Sequence, residues 1–236
     1  EVTGVGDPYY DVKRQYNGLA MGMYPAAKAA VEGAGDPLEA AVRLAIGGNI
    51  IDFGVNSKVD EDDVRETIEQ ALHRAFDGGA VEALRDAVAG AKDILYLGDN
   101  SGEIVFDRLL IEQLPVEKVT FVVKAGPILN DALVEDAEEV GLADMVEVID
   151  NGDDAPGTIL ERCSEDFRRR FAGADVVIAK GQGNYETLSD VDRDVFFMLQ
   201  AKCEVIARHF GCEKGTPILA HYRAGSVDEE VLSERG

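Results

Sequence analysis

The chain has few basic residues: 23 Lys and Arg stand against 46 Asp and Glu among 236 residues, a formal charge of −23 spread along its length. A field of that sign repels polyanions and argues against nucleic acid as a partner. The one basic cluster, Arg168 to Arg170, sits inside a helical pattern and reads as a solvated face. Long apolar runs are missing too. No stretch approaches the roughly 18 to 20 uninterrupted apolar residues that span a bilayer. The opening "EVTGVGDPYY" has neither the basic start nor the apolar core of a signal peptide, so a cytoplasmic protein without a membrane partner is expected. Cysteine is scarce: Cys163, Cys203 and Cys212 show no CxxC spacing and no adjacent His, which fits free thiols in a reducing compartment and neither a disulfide framework nor a zinc site. Of the three histidines, His73 and His209 fall in amphipathic helices, and only His221, at the end of a strand, is placed to border a site. GxSxG, Walker, HExxH and dinucleotide GxGxxG motifs are all absent.

What is present is enough apolar material, 46%, for a substantial core. Residues 1 to 90 read as helices only. Two of them open on Asp followed by Pro, at Asp7/Pro8 and Asp36/Pro37, the N-cap and first-turn pairing. In a third, "DEDDVRETIEQALHRAF", Val64, Ile68, Ala71, Leu72 and Ala75 recur at helical spacing; "AVEALRDAVAGA" is a short fourth. From residue 91 onward, short β-branched runs alternate with amphipathic segments. The runs "DILYLG", "KVTFVVKA", "MVEVID", "DVVIAKG" and "PILAHY" predict strands; "EIVFDRLLIEQL", "LNDALVEDAEEVGL", "PGTILERCSEDFRRRFA" and "DVFFMLQAKCEVIARHFG" predict helices. That alternation predicts an α/β fold with a parallel sheet covered by helices on both faces.

Ligands of an open parallel sheet bind beyond the carboxyl ends of its strands. The residues that follow the strands are Asp99, Asn100, Ser101, Gly102 and Glu103; then Lys124 with Asn130 and Asp131; then Asp150 to Asp154; then Lys180 to Glu186. Asn100 and Glu103 have the spacing of an N-cap and its capping-box partner. A second reading comes from Asp131, since two carboxylates and an amide oxygen converging on one point repel each other unless a cation lies between them. All-oxygen ligation suits Mg²⁺ or Mn²⁺. Lys180 reads either as a point charge for a phosphate oxygen, beside glycines that admit a ligand to the backbone, or as a strand-end lysine directed to water. Metal, lysine and glycine loop together point to phosphoryl transfer to water.

Across its whole length the sequence resembles the damage-control phosphatase family. "DPYYDVKRQYN", "AIGGNIIDFG", "LGDNSGEIVFD", "GPILNDAL", "AKGQGNYETL" and "LQAKCEVIA" occur in the family's order, with "GDNSGE" and "KGQGNYE" the most specific. The resemblance implies an all-helical region over 1–90 packed on a Rossmann-like three-layer αβα domain over 91–236 with a mainly parallel sheet. It implies a metal-dependent phosphatase acting on small phosphorylated metabolites. By the same resemblance Asp99, Asn100 and Asp131 ligate Mn²⁺ or Mg²⁺, with Co²⁺ or Ni²⁺ as further options. Asp99, Asp131 and Lys180 carry catalysis, Lys180 as the phosphate lysine. Ser101, Glu103, Asn130, Gly181 and Asn184 line the pocket, and Asn49 and Asp52 approach it from the helical region. The chain opens at Glu1, and small archaeal-type members carry a further helical stretch with a Cys-x-x-Cys pair that has no counterpart here. Two other readings remain open: a carboxyl methyltransferase using S-adenosylmethionine, against which stands the lack of a glycine-rich turn after the first strand, and a non-catalytic metal- or metabolite-binding protein of the same fold.

Overall fold

The computed structural model describes residues 6–48, 61–76 and 79–224; Asn49 and Asp52 lie outside the described residues. Four helices come first: α1 (Tyr10–Glu32), α2 (Pro37–Gly47), α3 (Glu61–His73) and α4 (Gly79–Gly90). Asp36 caps α2 as its Asp-Pro start predicts, in extended conformation with its carboxylate accepting from Glu39 N at 3.1 Å. Asp7 does not cap α1. The helix begins at Tyr10; Asp7 accepts from Tyr9 N at 2.8 Å and reaches forward to Lys13 Nζ at 3.0 Å, a buried ion pair that replaces the cap. The third helix ends before Ala75, which is exposed.

The sheet has six strands: β1 (Ile94–Leu97), β2 (Val119–Val123), β3 (Glu147–Asp150), β4 (Val176–Lys180), β5 (Val195–Gln200) and β6 (Pro217–Tyr222), in the order β3-β2-β1-β4-β5-β6. All neighbours are parallel except β5 and β6, which are antiparallel. The strand β5 corrects the sequence reading, which placed "DVFFMLQAKCEVIARHFG" in one helix. Residues Val195 to Leu199 are buried throughout. A run apolar on every side has no period, so it fits a strand buried on both faces as well as a helix, and pairing with β4 decides it. Only the end of that segment is helical, as α9 (Glu204–His209).

The other helices are α5 (Glu103–Ile111), α6 (Val134–Glu139), α7 (Glu165–Gly173) and α8 (Gly181–Leu188). Both α6 and α7 are shorter than their patterns predict, since residues 130–132 pair with the loop after β1 and Ser164 starts α7 by accepting from Phe167 N at 3.1 Å. The "KGQGNYE" segment, read as a glycine loop, is the last residue of β4 followed by the start of α8.

The layers follow from strand alternation. Ile94, Tyr96, Phe121, Ile178 and Met198 face one core with α1 to α6, and Leu95, Leu97, Val122, Val177 and Phe197 face the other with α7 to α9. Among the described residues the fold is therefore a three-layer α/β sandwich with the leading helices in the first core. No described helix is long and apolar enough to cross a membrane. The strand order reverses between β1 and β4, so their carboxyl ends flank the crevice where such sheets bind ligands.

Because β6 runs antiparallel to β5, its end lies at the opposite edge of the sheet. Tyr222 pairs with Val195, the first residue of β5, and His221 stacks on Phe196 at 4.1 Å. His221 therefore does not border the crevice. Removing the α2 cap through Asp36→Ala should cost about 1 kcal/mol, and Asp36→Asn only a few tenths, in urea unfolding of the two variants.

Candidate active site

The loops after β1 and β2 are joined backbone to backbone. Gly98 N donates to Val122 O at 2.9 Å, and a Cβ at Gly98 would lie 2.7 Å from the Phe121 ring, so only glycine fits at this exit. Asn100 and Asp131 then form an isolated antiparallel bridge, with Ser101 N bonded to Asn130 O at 2.9 Å and Ala132 N to Asp99 O at 2.8 Å. These backbone bonds set Asp99, Asn100 and Asp131 side by side. Gly102, at φ +81, turns the chain into α5 and takes the N-cap position. The capping box read from Asn100 and Glu103 therefore does not form. The Asn100 amide instead donates to Asp99 Oδ2 and Glu103 Oε1, both at 2.9 Å.

Gly181, at the β4 end, is at φ +83 and its missing Cβ would lie 2.0 Å from Asp99 Oδ2. The start of α8 thus abuts the Asp99 carboxylate. Lys180 is not directed to water: it is 1% exposed, donates to Ala45 O at 2.7 Å and Asp107 Oδ1 at 2.8 Å, and lies 3.6 Å from Glu103 Oε2. Asn184 is occupied as well. Its amide nitrogen donates to Lys180 O at 2.7 Å and Gly98 O at 3.3 Å, and its oxygen accepts from Thr158 Oγ1 at 2.7 Å, which ties β1 to β4. The Ser101 hydroxyl is buried with no hydrogen-bond partner among the described residues.

Burial dominates the electrostatics. It pushes the Asp99 carboxyl up to about 6, helped by the Asp131 charge and opposed by Lys180, Lys202 and Lys124. It pushes Asp131 up to about 6 against the pull of Lys124, and Glu103 up to about 7 against Lys180. Burial would lower the Lys180 ammonium, but Asp107 and Glu103 outweigh it and raise it. The ring therefore holds one firmly charged ammonium and three carboxyls whose ionisation is costly, the condition that a cation relieves. Among the described residues no three His, Cys, Asp or Glu side chains converge as a metal cluster; the oxygen set here is two carboxylates and an amide.

Two groups of residues escaped the sequence reading. In the first, Asn17 of α1, fully buried, accepts from Gly102 N at 2.7 Å while its amide nitrogen donates to Asp136 Oδ1 at 3.1 Å and Glu139 Oε2 at 2.8 Å. Lys13 adds a bond to Asp136 Oδ2 at 2.9 Å. One amide thereby ties the loop after β1 to α6, the helix that follows Asp131. In the second, Asp107, fully buried in α5, holds Lys180 and accepts from Tyr96 OH at 2.8 Å. The signal was available: Lys13 and Asn17 share the buried stripe of α1 with Ala20, Met23, Ala27 and Val31, where polar side chains persist only if bonded.

Gly181→Ala should expel Asp99 from its seat and destabilise the fold by about 1 to 3 kcal/mol, read as a lowered unfolding midpoint. A linkage test isolates Asp99. Its folded carboxyl binds a proton more tightly than the unfolded one, about 6 against an ordinary 3.8, so its contribution to stability is present below about pH 4 and lost as pH rises through 6. Asp99→Asn should therefore stabilise the metal-free chain above pH 6 by at most roughly 3 kcal/mol, with the difference vanishing near pH 4 in denaturant titrations.

The profile of the damage-control phosphatase ARMT1-like domain matches residues 1–218. A damage-control phosphatase of Archaeoglobus fulgidus is 38% identical over 220 residues, which cover 91% of this chain and 76% of that protein. One from Pyrococcus horikoshii is 42% identical over 181 residues, covering 75% of this chain and 62% of that protein. The crystal structure of a DUF89 family protein from Pyrococcus horikoshii superposes with a TM-score of 0.83 at 36% identity, over 93% of this chain and 77% of its own. With the profile matching residues 1–218 and a relative 38% identical over 91% of its length, the chain belongs to the damage-control phosphatase ARMT1-like family.

Proposed function

We propose that the chain is a divalent-metal-dependent phosphatase that hydrolyses small phosphorylated metabolites, sugar phosphates or damaged phosphometabolites, at the carboxyl edge of its sheet. The observation that carries this reading is the backbone pairing of Asn100 with Asp131, which sets Asp99, Asn100 and Asp131 together beside buried lysines at the β1/β4 crevice. Two carboxylates and an amide oxygen are hard donors, suited to Mn²⁺ or Mg²⁺ and, less closely, to Co²⁺ or Ni²⁺. The raised Asp99 and Asp131 carboxyls support the fit, because a cation offsets the cost of burying their charge, which is the main cause that raises them, and the lesser repulsion from Asp131 at Asp99 and from Glu103 at Asp131. When bound, the metal supplies neutralisation of charge on the phosphoryl oxygens.

The residues do the rest. Asp99 and Asp131 shed their protons above about pH 6 to become ligands. Asn100, bonded to both Asp99 and Glu103, holds the two acids in register. Glu103, near 7, is the carboxyl able to hold or release a proton at neutral pH. Lys180 fixes a positive charge behind all of them.

The test is release of inorganic phosphate from a panel of sugar phosphates, phosphopantetheine-like esters and an aryl phosphate, with Mn²⁺, Mg²⁺, Co²⁺ and Ni²⁺ in turn and with chelator. Release that requires a metal and falls at least a hundredfold in Asp99→Ala is the expected outcome. No release from any ester, with metal bound by the wild type and lost in Asp99→Ala, would overturn the hydrolase and favour methyl transfer or metabolite binding.

A further inference from the structure

A phosphoryl group arriving at this edge needs a cationic contact with donors to spare. The start of α8 already faces the Asp99 carboxylate across Gly181. The Lys180 ammonium is enclosed by Ala45 O, Asp107 and Glu103. Lys202 is exposed. Lys124 differs from all three. It follows β2 directly, its backbone N–H is fixed to Ala132 O at 3.0 Å, and its side chain is 6% exposed. Its ammonium donates to Gly157 O and stands 3.8 Å from Asp131 Oδ2, beyond hydrogen-bond reach. Of its three donors, two are therefore unspent on any described residue. A buried ammonium with idle donors is costly unless a partner arrives.

The surroundings hold that ammonium in place. Gly157, at φ +70, packs so tightly on α8 that an added Cβ would come within 2.3 Å of Gly183 O. Thr158 N donates to Thr187 Oγ1 at 2.8 Å, and Thr158 Oγ1 bonds Asn184. The loops after β2 and β3 thus meet at the Lys124 ammonium, on the Asp131 side of the acidic pair, with the Gly157 loop packed against α8.

We propose that Lys124 is the residue that contacts a phosphoryl oxygen of the substrate, bridging it to the Asp131 side of the metal ligands, while Lys180 is the buried strut that holds the acids. This deepens the phosphatase reading and rests on it for the word substrate; the anion subsite itself does not.

The experiment uses Lys124→Gln, which keeps a neutral donor for Gly157 O and removes the charge. Thermal unfolding checks the fold, Mn²⁺ affinity is read from the free-ion electron paramagnetic resonance signal, and calorimetry measures inorganic phosphate binding to the Mn²⁺-loaded chain. Expected are Mn²⁺ affinity within threefold of wild type and phosphate affinity weakened at least tenfold, with partial recovery in Lys124→Arg. Phosphate affinity changed less than threefold, no phosphate binding by the wild type, or loss of Mn²⁺ binding in a folded Lys124→Gln would each overturn the proposal. If phosphate binding depends on Lys124 while no ester is hydrolysed, the subsite stands and the hydrolase reading alone falls.

Discussion

Lys180 carries a positive charge almost completely removed from water, 2.8 Å from Asp107 and 3.6 Å from Glu103. A buried ammonium is tolerable only when ion-paired and hydrogen-bonded, and buried carboxylates equally need a counter-charge. Each side of this arrangement therefore requires the other. Asp107 and Glu103 keep the lysine charged, and the lysine draws down the carboxyls of Asp99, Glu103 and Asp107, which burial alone would drive higher. Its bond to Ala45 O also ties α2 to the same point, so the leading helices and the sheet meet at one charge.

Around that charge the backbone does work usually left to side chains. The antiparallel Asn100–Asp131 bridge joins the loops beyond the ends of the parallel strands β1 and β2, which turns two loops into one shelf. Glycines at 98, 102 and 181 allow that shelf to lie against the Phe121 ring, to turn into α5 and to accept the Asp99 carboxylate. Asn17 braces it from α1 by taking the Gly102 N–H and giving its own amide hydrogens to Asp136 and Glu139. A site held this way is preorganised: little rearrangement is needed when a ligand brings charge into it.

Much of this was legible in the residues. Alternating β-branched and amphipathic runs specify an α/β sheet, Asp36-Pro37 specifies a helix start, and polar residues mark where strands end, because each signal is local and rests on side-chain period or capping chemistry. Other features were not. The run Val195 to Leu199 is apolar on every side and carries no period, so only pairing between β4 and β6 makes it a strand. The direction of β6, which carries His221 away from the crevice, is likewise a property of the assembled sheet.

The sequence by itself determined which chemistry was available: acids, amides, a lysine and glycines at the ends of apolar strands, in an order shared with the damage-control phosphatases. Tertiary structure alone decided how each was used. Lys180 is enclosed because Asp107 and Ala45 O, 73 and 135 residues away in sequence, come within hydrogen-bond range of it. Asn17 acts on the acidic loops from 119 residues before Asp136. Contacts of that separation depend on where whole helices pack, and no local pattern encodes them; charge and burial then set which lysine has its donors spent on the fold and which does not.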